Sequence, residues 1–480
     1  MRILLVRPPR GSVRGLESTA LVEPLGLETL AGGLGMYRVG IADLRMGDRL
    51  SDFLRALQPQ LCGIGCAFTS EARSALAVAR QVKEARPDCR VVVGGQHASL
   101  WPVDFADPAV DGVVVGEGEV TLLMVARAIE GHVPLTEVPG LVANTCEGQV
   151  SNPKQAGWIE DLDLLPMPER RLLAPYLGRF YMGFQRPMAL VETTRGCPQR
   201  CSFCAVWKFY GERVRQKSAE RVAEELRAVA APHVFFTDDN FLADVTRGHA
   251  LADRIIELGI RKSYTFQART DTIASNPDLV GHWAAAGPCT VFVGLERLTR
   301  EGLRELRKGN TPEANERALE VLAKAGVTYS GNFMVDPQAT PEDFQALREY
   351  VRARGLRNAS FTITTPLPGT DLFEEMKGKL REGNCALYDL FHAVVDTALP
   401  REQFYAEFAS LWQEVRRLQG ITRAGSWRRL AGALLTRKTS MRALRRGMNV
   451  SRQLSNPALF LRDHEEHSQP LPPGETPRFT

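Results

Sequence analysis

Short apolar segments alternate with helix-length segments along this chain of 480 residues, and this alternation limits the fold more than any other feature. Within residues 1–135 the apolar segments are rich in Val, Ile and Leu: Ile3–Val6, Ile41–Leu44, Leu61–Phe68, Arg90–Gly95 and Gly112–Gly116. Strand-length segments separated by helices of about 10 to 15 residues indicate βαβ units. The first part of the chain is therefore predicted to be an α/β domain with a doubly wound parallel sheet.

The alternation resumes in residues 187–380. Six further strands are predicted at Met188–Glu192, His233–Thr237, Tyr264–Ala268, Thr290–Leu295, Tyr329–Val335 and Ser360–Thr364. Residues 136–186 between the two regions are expected to form a linker with a small hairpin. Residues 381–460 are predicted to be a helical region that selects the substrate, and residues 461–480 a disordered tail.

The composition is that of a cytoplasmic protein. The apolar segments are strand-sized, so no transmembrane helix is predicted. The amino terminus enters a strand at once, without the pattern of a signal peptide. The nine cysteines are read as thiols in a reducing compartment rather than as a disulfide framework.

Positive charge is concentrated in residues 413–453. This arm has eleven Lys and Arg against one acid, a charge of +10, so the rest of the chain carries −6 within the total of +4. Its apolar residues share one side of an ideal helix, which favours peripheral contact with an anionic membrane. A solvated docking helix or nonspecific RNA contact are the alternatives. No RNA-binding module accompanies the arm, so no specific nucleic-acid partner is expected.

Three cysteines with C-x3-C-x2-C spacing follow the first strand of the second region. Cys197, Cys201 and Cys204 lie in the run Glu-Thr-Thr-Arg-Gly-Cys-Pro-Gln-Arg-Cys-Ser-Phe-Cys. Three thiolates can hold three irons of a 4Fe–4S cluster and leave the fourth iron open. A zinc knuckle needs four ligands, usually from two paired loops, and no second C-x2-C or His pair occurs. An open iron is suited to catalysis.

This motif resembles that of the radical S-adenosylmethionine (SAM) superfamily, whose open iron chelates SAM. The resemblance implies a partial (βα)6 barrel with its site at the carboxyl ends of the strands. It also implies a reductant of the flavodoxin or ferredoxin type. The residues that it implies for SAM binding are Phe203 against the adenine, and the strand-end residues Asp239, Gln267, Arg269 and Glu296.

A doubly wound domain ahead of such a barrel resembles the cobalamin-dependent radical SAM enzymes. The strand-end residues expected to hold cobalamin are Thr69, Ser70, Gly94, Gly95, Gln96, His97, Gly116, Glu117 and Gly118. Arg45 occupies the place of the histidine that ligates cobalt in other cobalamin domains, so no lower protein ligand is expected. The alternative is a nucleotide-binding domain, which the lack of Gly-x-Gly-x-x-Gly after the first strand disfavours.

Three short segments resemble hopanoid C-3 methylases and anaerobic tetrapyrrole-modifying members of this group: Leu387–Val394, Leu399–Pro400 and Phe404–Tyr405. The segment Glu23–Glu28 also resembles the hopanoid methylases. The resemblance implies methylation of an unactivated carbon of an apolar small molecule or lipid, through a 5′-deoxyadenosyl radical and methylcobalamin. The main alternative is a cobalamin-dependent cyclase or rearrangement enzyme. A methylthiotransferase and a non-catalytic cobalamin or redox sensor are weaker alternatives, since the second cysteine cluster and RNA module of the former are not found.

Overall fold

The computed structural model describes residues 1–15, 20–152, 157–420, 449–472 and 474–479. Within these ranges no helix combines the length and the apolarity needed to span a bilayer. Most of the basic arm, residues 421–448, lies outside them, and so does the predicted apolar side of its helix. A mainly parallel sheet and an all-parallel sheet, each packed against helices, form the two domains.

The first sheet has seven strands in the order β3-β1-β4-β5-β6-β7-β8, of which the first five are parallel. This confirms the doubly wound α/β prediction. The elements in chain order are β1 (Arg2–Arg7), β2 (Ala20–Leu21), α1 (Leu25–Gly33), β3 (Arg38–Asp43), α2 (Leu50–Leu57), β4 (Leu61–Gly65), α3 (Ala72–Ala85), β5 (Arg90–Gly94), α4 (Gln96–Leu100), β6 (Gly112–Val114), α5 (Gly118–Glu130), β7 (Leu141–Thr145) and β8 (Gly148–Ser151).

The predicted hairpin, β7 and β8, belongs to this first sheet rather than to a linker. Strand β7 pairs antiparallel with β6, so the sheet extends to Ser151. Beyond it, β9 (Tyr181–Met182) pairs with β2.

The second sheet is a six-stranded, all-parallel partial barrel in the order β10-β13-β14-β15-β16-β17, as predicted. Its elements are β10 (Met188–Val191), β11 (Thr194–Arg195), α6 (Val206–Phe209), β12 (Arg215–Gln216), α7 (Ala219–Ala228), β13 (His233–Phe236), α8 (Val245–Glu257), β14 (Ser263–Ala268), α9 (Thr270–Ser275), α10 (Pro277–Ala286), β15 (Cys289–Glu296), α11 (Arg300–Glu305), α12 (Pro312–Lys324), β16 (Thr328–Val335), α13 (Pro341–Ala353), β17 (Ser360–Ile363) and α14 (Asp371–Met376).

Local signals in the sequence explain where these helices begin. Thr340 and Asp343 form a reciprocal capping box at the start of α13, and Pro341 occupies its first turn. Ser218 and Asp244 cap α7 and α8 by accepting hydrogen bonds from backbone amides of the first turn. Each of these three helices therefore begins at a position that its capping residue marks in the sequence.

The carboxyl-terminal region differs from the prediction in two respects. Helices α15 (Arg401–Leu418) and α16 (Pro457–His467) are present, but residues 381–400 contain no α-helix. Instead Tyr388 and Val394 pack into the core of the first domain, because β4 and α3 present an apolar surface there. The predicted disordered tail is also wrong for its described residues: the fully buried Phe479 ring packs on His97 and Tyr388.

Candidate active site

A cavity of about 530 Å³ lies between the carboxyl ends of the first sheet and the mouth of the barrel. Glycines of the β4, β5 and β6 loops and apolar side chains of α1 and α5 line it on one side. The barrel contributes Leu190, Glu192, Thr194, Arg195, Tyr210, Thr237 and Asp239. The glycines predicted to hold cobalamin and Asp239, one of the residues predicted to bind SAM, therefore border one chamber.

Glycine at the strand ends gives this cavity its depth. A Cβ on Gly118 would lie 3.2 Å from the Leu30 side chain, which also lines the cavity. Gly95 has φ of +117°, and a Cβ there would lie 2.5 Å from the Cys66 carbonyl oxygen. Any side chain would fill the space or strain the loop, so the glycines allow a bulky ligand to approach the backbone.

Five of the residues predicted to contact cobalamin lie outside the cavity lining. Their side chains are not among the described residues that line the cavity: Thr69, Ser70, Gln96, His97 and Glu117. The buried His97 ring lies 2.9 Å (Nε2) from Asp104 Oδ2 and 3.2 Å (Nδ1) from Thr69 Oγ1. A buried imidazole and hydroxyl need such partners, and here the interior supplies them. By contrast, Gly94, Gly95, Gly116 and Gly118 do line the cavity.

Arg45 and Glu71 both line the cavity. Their pairing was not predicted from the sequence. Both side chains are about 5 % exposed and form an ion pair. Glu71 also accepts a hydrogen bond of 2.9 Å from the Ala67 amide. The position of Arg45 was noticeable in the sequence, but no local pattern marks Glu71 as its partner.

An interdomain ion cluster joins the two domains beside the cavity; it consists of Glu117, Glu119, Glu192, Arg195 and Arg215. The Arg195 guanidinium donates to Glu117 (2.7 Å), Glu119 (2.6 Å) and Glu192 (3.0 Å). Arg215 donates to both carboxylate oxygens of Glu117, at 2.8 and 2.9 Å. Burial disfavours the Glu117 anion, but Arg215 and Arg195 lower its pKa overall. This role was not predicted, because the partners that join the two domains lie 76 to 98 residues apart in the sequence.

The loop that carries the three cysteines is closely held by its surroundings. Gly196 has φ of +93°, and a Cβ there would lie 2.0 Å from the Arg213 carbonyl oxygen, so only glycine fits before Cys197. Trp207 Nε1 donates to the Cys201 carbonyl at 3.0 Å. Burial raises the pKa of all three thiols, that of Cys204 to about 12. The cations Lys308 and Arg269 oppose this effect at Cys201.

The predicted SAM residues lie around these cysteines in different environments. Lys308 Nζ is 2.7 Å from Glu296 Oε1 and 5.9 Å from the centre of the Phe203 ring. Arg269 donates to the Lys308 carbonyl at 2.8 Å and is paired with Asp271. A Cβ on Gly294 would lie 2.2 Å from the Glu296 carboxylate, so that glycine makes room for the Glu296–Lys308 pair.

The remaining two residues predicted to bind SAM are Asp239 and Gln267. Asp239 lines the cavity, and burial, Asp238 and Glu192 raise its pKa to about 7. Its neighbour Asp238 is occupied by the Thr193 hydroxyl and amide, at 2.6 and 2.7 Å. Gln267 is exposed at the end of β14.

Comparisons with known proteins agree with this arrangement. A B12 binding domain model matches residues 11–126, and a Radical SAM superfamily model matches residues 191–351. The hopanoid C-3 methylase of Methylococcus capsulatus is 31 % identical over 470 residues, which cover 95 % of this chain and 88 % of that protein. The chain belongs to the cobalamin-dependent radical SAM enzymes.

Two further comparisons describe the breadth of the similarity. The anaerobic magnesium-protoporphyrin IX monomethyl ester cyclase of Rubrivivax gelatinosus is 26 % identical over 79 % of this chain and 71 % of its own. The solved structure of OxsB, with aqua-cobalamin and SAM bound, shares the fold at a TM-score of 0.67. It covers 97 % of this chain and 80 % of its own, with 15 % sequence identity.

The cofactors of this radical SAM enzyme are thus a 4Fe–4S cluster, SAM and cobalamin, and the described residues fit them. The glycine-lined, apolar side of the cavity suits the tail of a corrin. The predicted cluster ligands Cys197, Cys201 and Cys204 lie on one loop, with Cys201 buried and the other two partly buried. The cations Arg269 and Lys308 near Cys201 suit the negative charge of a thiolate-bound cluster.

Proposed function

We propose that this enzyme methylates an unactivated carbon of an apolar polycyclic substrate of the hopanoid type. The observation that carries the proposal is the near full-length similarity to the hopanoid C-3 methylase, at 31 % identity. The shared cavity supports it, because glycines at the strand ends of the first domain and Thr194, Arg195 and Asp239 of the barrel border the same space. When bound, the cluster with SAM supplies hydrogen abstraction and cobalamin supplies the methyl group.

The chain's own residues supply position and exclusion of water. The interdomain ion cluster holds the Gly116–Glu119 loop of the first domain against the segment that leads to Cys197. Apolar side chains of α1, β5 and α5 keep water out of the other side of the cavity. Hydrogen abstraction needs no general base, so no side chain is assigned that role. We propose a flavodoxin or ferredoxin as the electron donor.

Deuterium labelling tests the proposal. Cells that express the protein are fed methionine with a trideuterated methyl group, and their apolar extracts are compared by mass spectrometry. We expect a product that gains all three deuteriums with the wild type and with Cys146→Ala, whose thiol is exposed in the turn between β7 and β8. Cys201→Ala should abolish this product. A labelled product of equal yield from Cys201→Ala would refute the mechanism.

A cyclase or rearrangement is the second candidate, favoured by the similarity to the cyclase of Rubrivivax gelatinosus. It predicts that the extracts change with the wild type but gain no deuterium. The same experiment therefore separates the two reactions.

A further inference from the structure

A basic groove lies where the end of α15 meets the start of α16. Its volume is about 660 Å³, it opens to solvent, and its walls include Arg416, Arg417 and Arg452. Gln413 Nε2 donates to the Ser455 carbonyl at 3.0 Å and joins the two sides. The groove therefore lies between the first and the last residues of the basic arm, which the fold brings together.

The positive charges in this groove are not balanced by acidic partners among the residues that the structure describes. Arg417 pairs with Glu414 at 3.2 Å, whereas Arg416 and Arg452 have no acidic partner in the described part of the chain. Burial and the charge of Arg452 lower the pKa of Arg416, so the two cations face one another. Residues 415–462 contain twelve Lys and Arg and no Asp or Glu. The anion that balances the groove must therefore come from outside this region.

Helix α16 adds to the positive potential. Its cap Asn456 and first residue Pro457 both line the groove, so the amino-terminal end of an eleven-residue helix begins there. The partial positive charge of a helix amino terminus favours an anionic group. Two unpaired guanidinium groups and a helix terminus suit a phosphate.

We propose that this groove docks the enzyme on an anionic lipid bilayer, with lipid phosphate between Arg416 and Arg452. A bilayer is favoured over RNA because the described residues that line the groove include no aromatic side chain on which a base could stack. The choice also rests on the proposed function, since an apolar polycyclic substrate dissolves in a bilayer and has to be taken from it.

Vesicle sedimentation tests this without any turnover, so its outcome is independent of the methylation assay. The full chain is mixed with vesicles of phosphatidylcholine alone, or of phosphatidylcholine and phosphatidylglycerol in equal parts. We expect binding to the anionic vesicles only, weakening with added salt. Arg416→Gln with Arg452→Gln should weaken it by about twenty-five-fold, since each Arg near an anionic surface contributes about fivefold.

The matched control removes the same charge elsewhere. Arg254 and Arg300 are exposed and paired with Glu257 and Glu313, so Arg254→Gln with Arg300→Gln should bind like the wild type. Equal binding to both vesicle types would overturn the proposal. So would unchanged binding by the Arg416/Arg452 variant when its melting temperature matches the wild type. Displacement from vesicles by single-stranded RNA at physiological salt would assign the groove to nucleic acid instead.

Discussion

Replacement of Glu117 by glutamine should destabilise the junction between the two domains. The Glu117 carboxylate accepts hydrogen bonds from Arg195 (2.7 Å), Arg215 (2.8 and 2.9 Å) and the Ile159 amide (2.9 Å). A glutamine amide removes the negative charge and places a donor against these donors. Arg195 keeps Glu119 and Glu192, but Arg215, whose side chain is 5 % exposed, loses its acidic partner among the described residues.

The expected loss follows from leaving Arg215 buried without a counter-charge. Removal of one partner of a buried ion pair costs about 3–5 kcal/mol. At about 2 °C per kcal/mol for a large domain, the melting temperature should fall by roughly 6–10 °C. The measurement is thermal unfolding followed by circular dichroism, with Glu130→Gln as control. Glu130 ends the same helix α5, is 47 % exposed, and should cost little when changed.

A second substitution tests the cause of the loss. Arg215→Met removes the unpaired cation. Glu117→Gln combined with Arg215→Met should therefore be more stable than Glu117→Gln alone. The reason is that apolar residues can replace a buried ion pair at little cost in stability. If Glu117→Gln melts within about 1 °C of the wild type, the argument that Arg215 depends on Glu117 is refuted.

Three further outcomes are expected. Cys201→Ala should leave the purified protein without its cluster absorbance and electron paramagnetic resonance signal, and retention of both would contradict the ligand assignment. Gly118→Val should weaken cobalamin binding at least tenfold, measured by absorbance titration, because the side chain enters the cavity beside Leu30; Gly281→Val, with open space around it, is the control. Burial opposes the charge of His392, but Asp389 and Asp463 raise its pKa to about 9, above the usual 6.5. This stabilisation, about 3 kcal/mol, is fully present below pH 6.5 and lost as the pH rises through about 9. Urea unfolding across that range should show the decline, and His392→Gln should flatten it.

The sequence determined the two sheets because their signals are local. Strands such as β5 and β15 are short apolar segments, and helices follow them within a few residues. The cysteine spacing likewise lies within eight residues and indicates its cofactor directly. Arg45, at the place of a ligating histidine, was also recognisable, since it follows the end of β3 closely.

Only the tertiary structure decided which strand-end side chains face the cavity. Thr69, His97 and Glu117 stand at the expected strand ends, yet Asp104 and two arginines of the other domain hold His97 and Glu117. The tertiary structure also decided the position of the carboxyl-terminal tail, in which the Phe479 ring is buried against His97. The orientation of a polar side chain in a loop depends on the charged groups and cavities that segments distant in the sequence place beside it. A buried group turns toward the partner that satisfies it, and that partner is known only after folding.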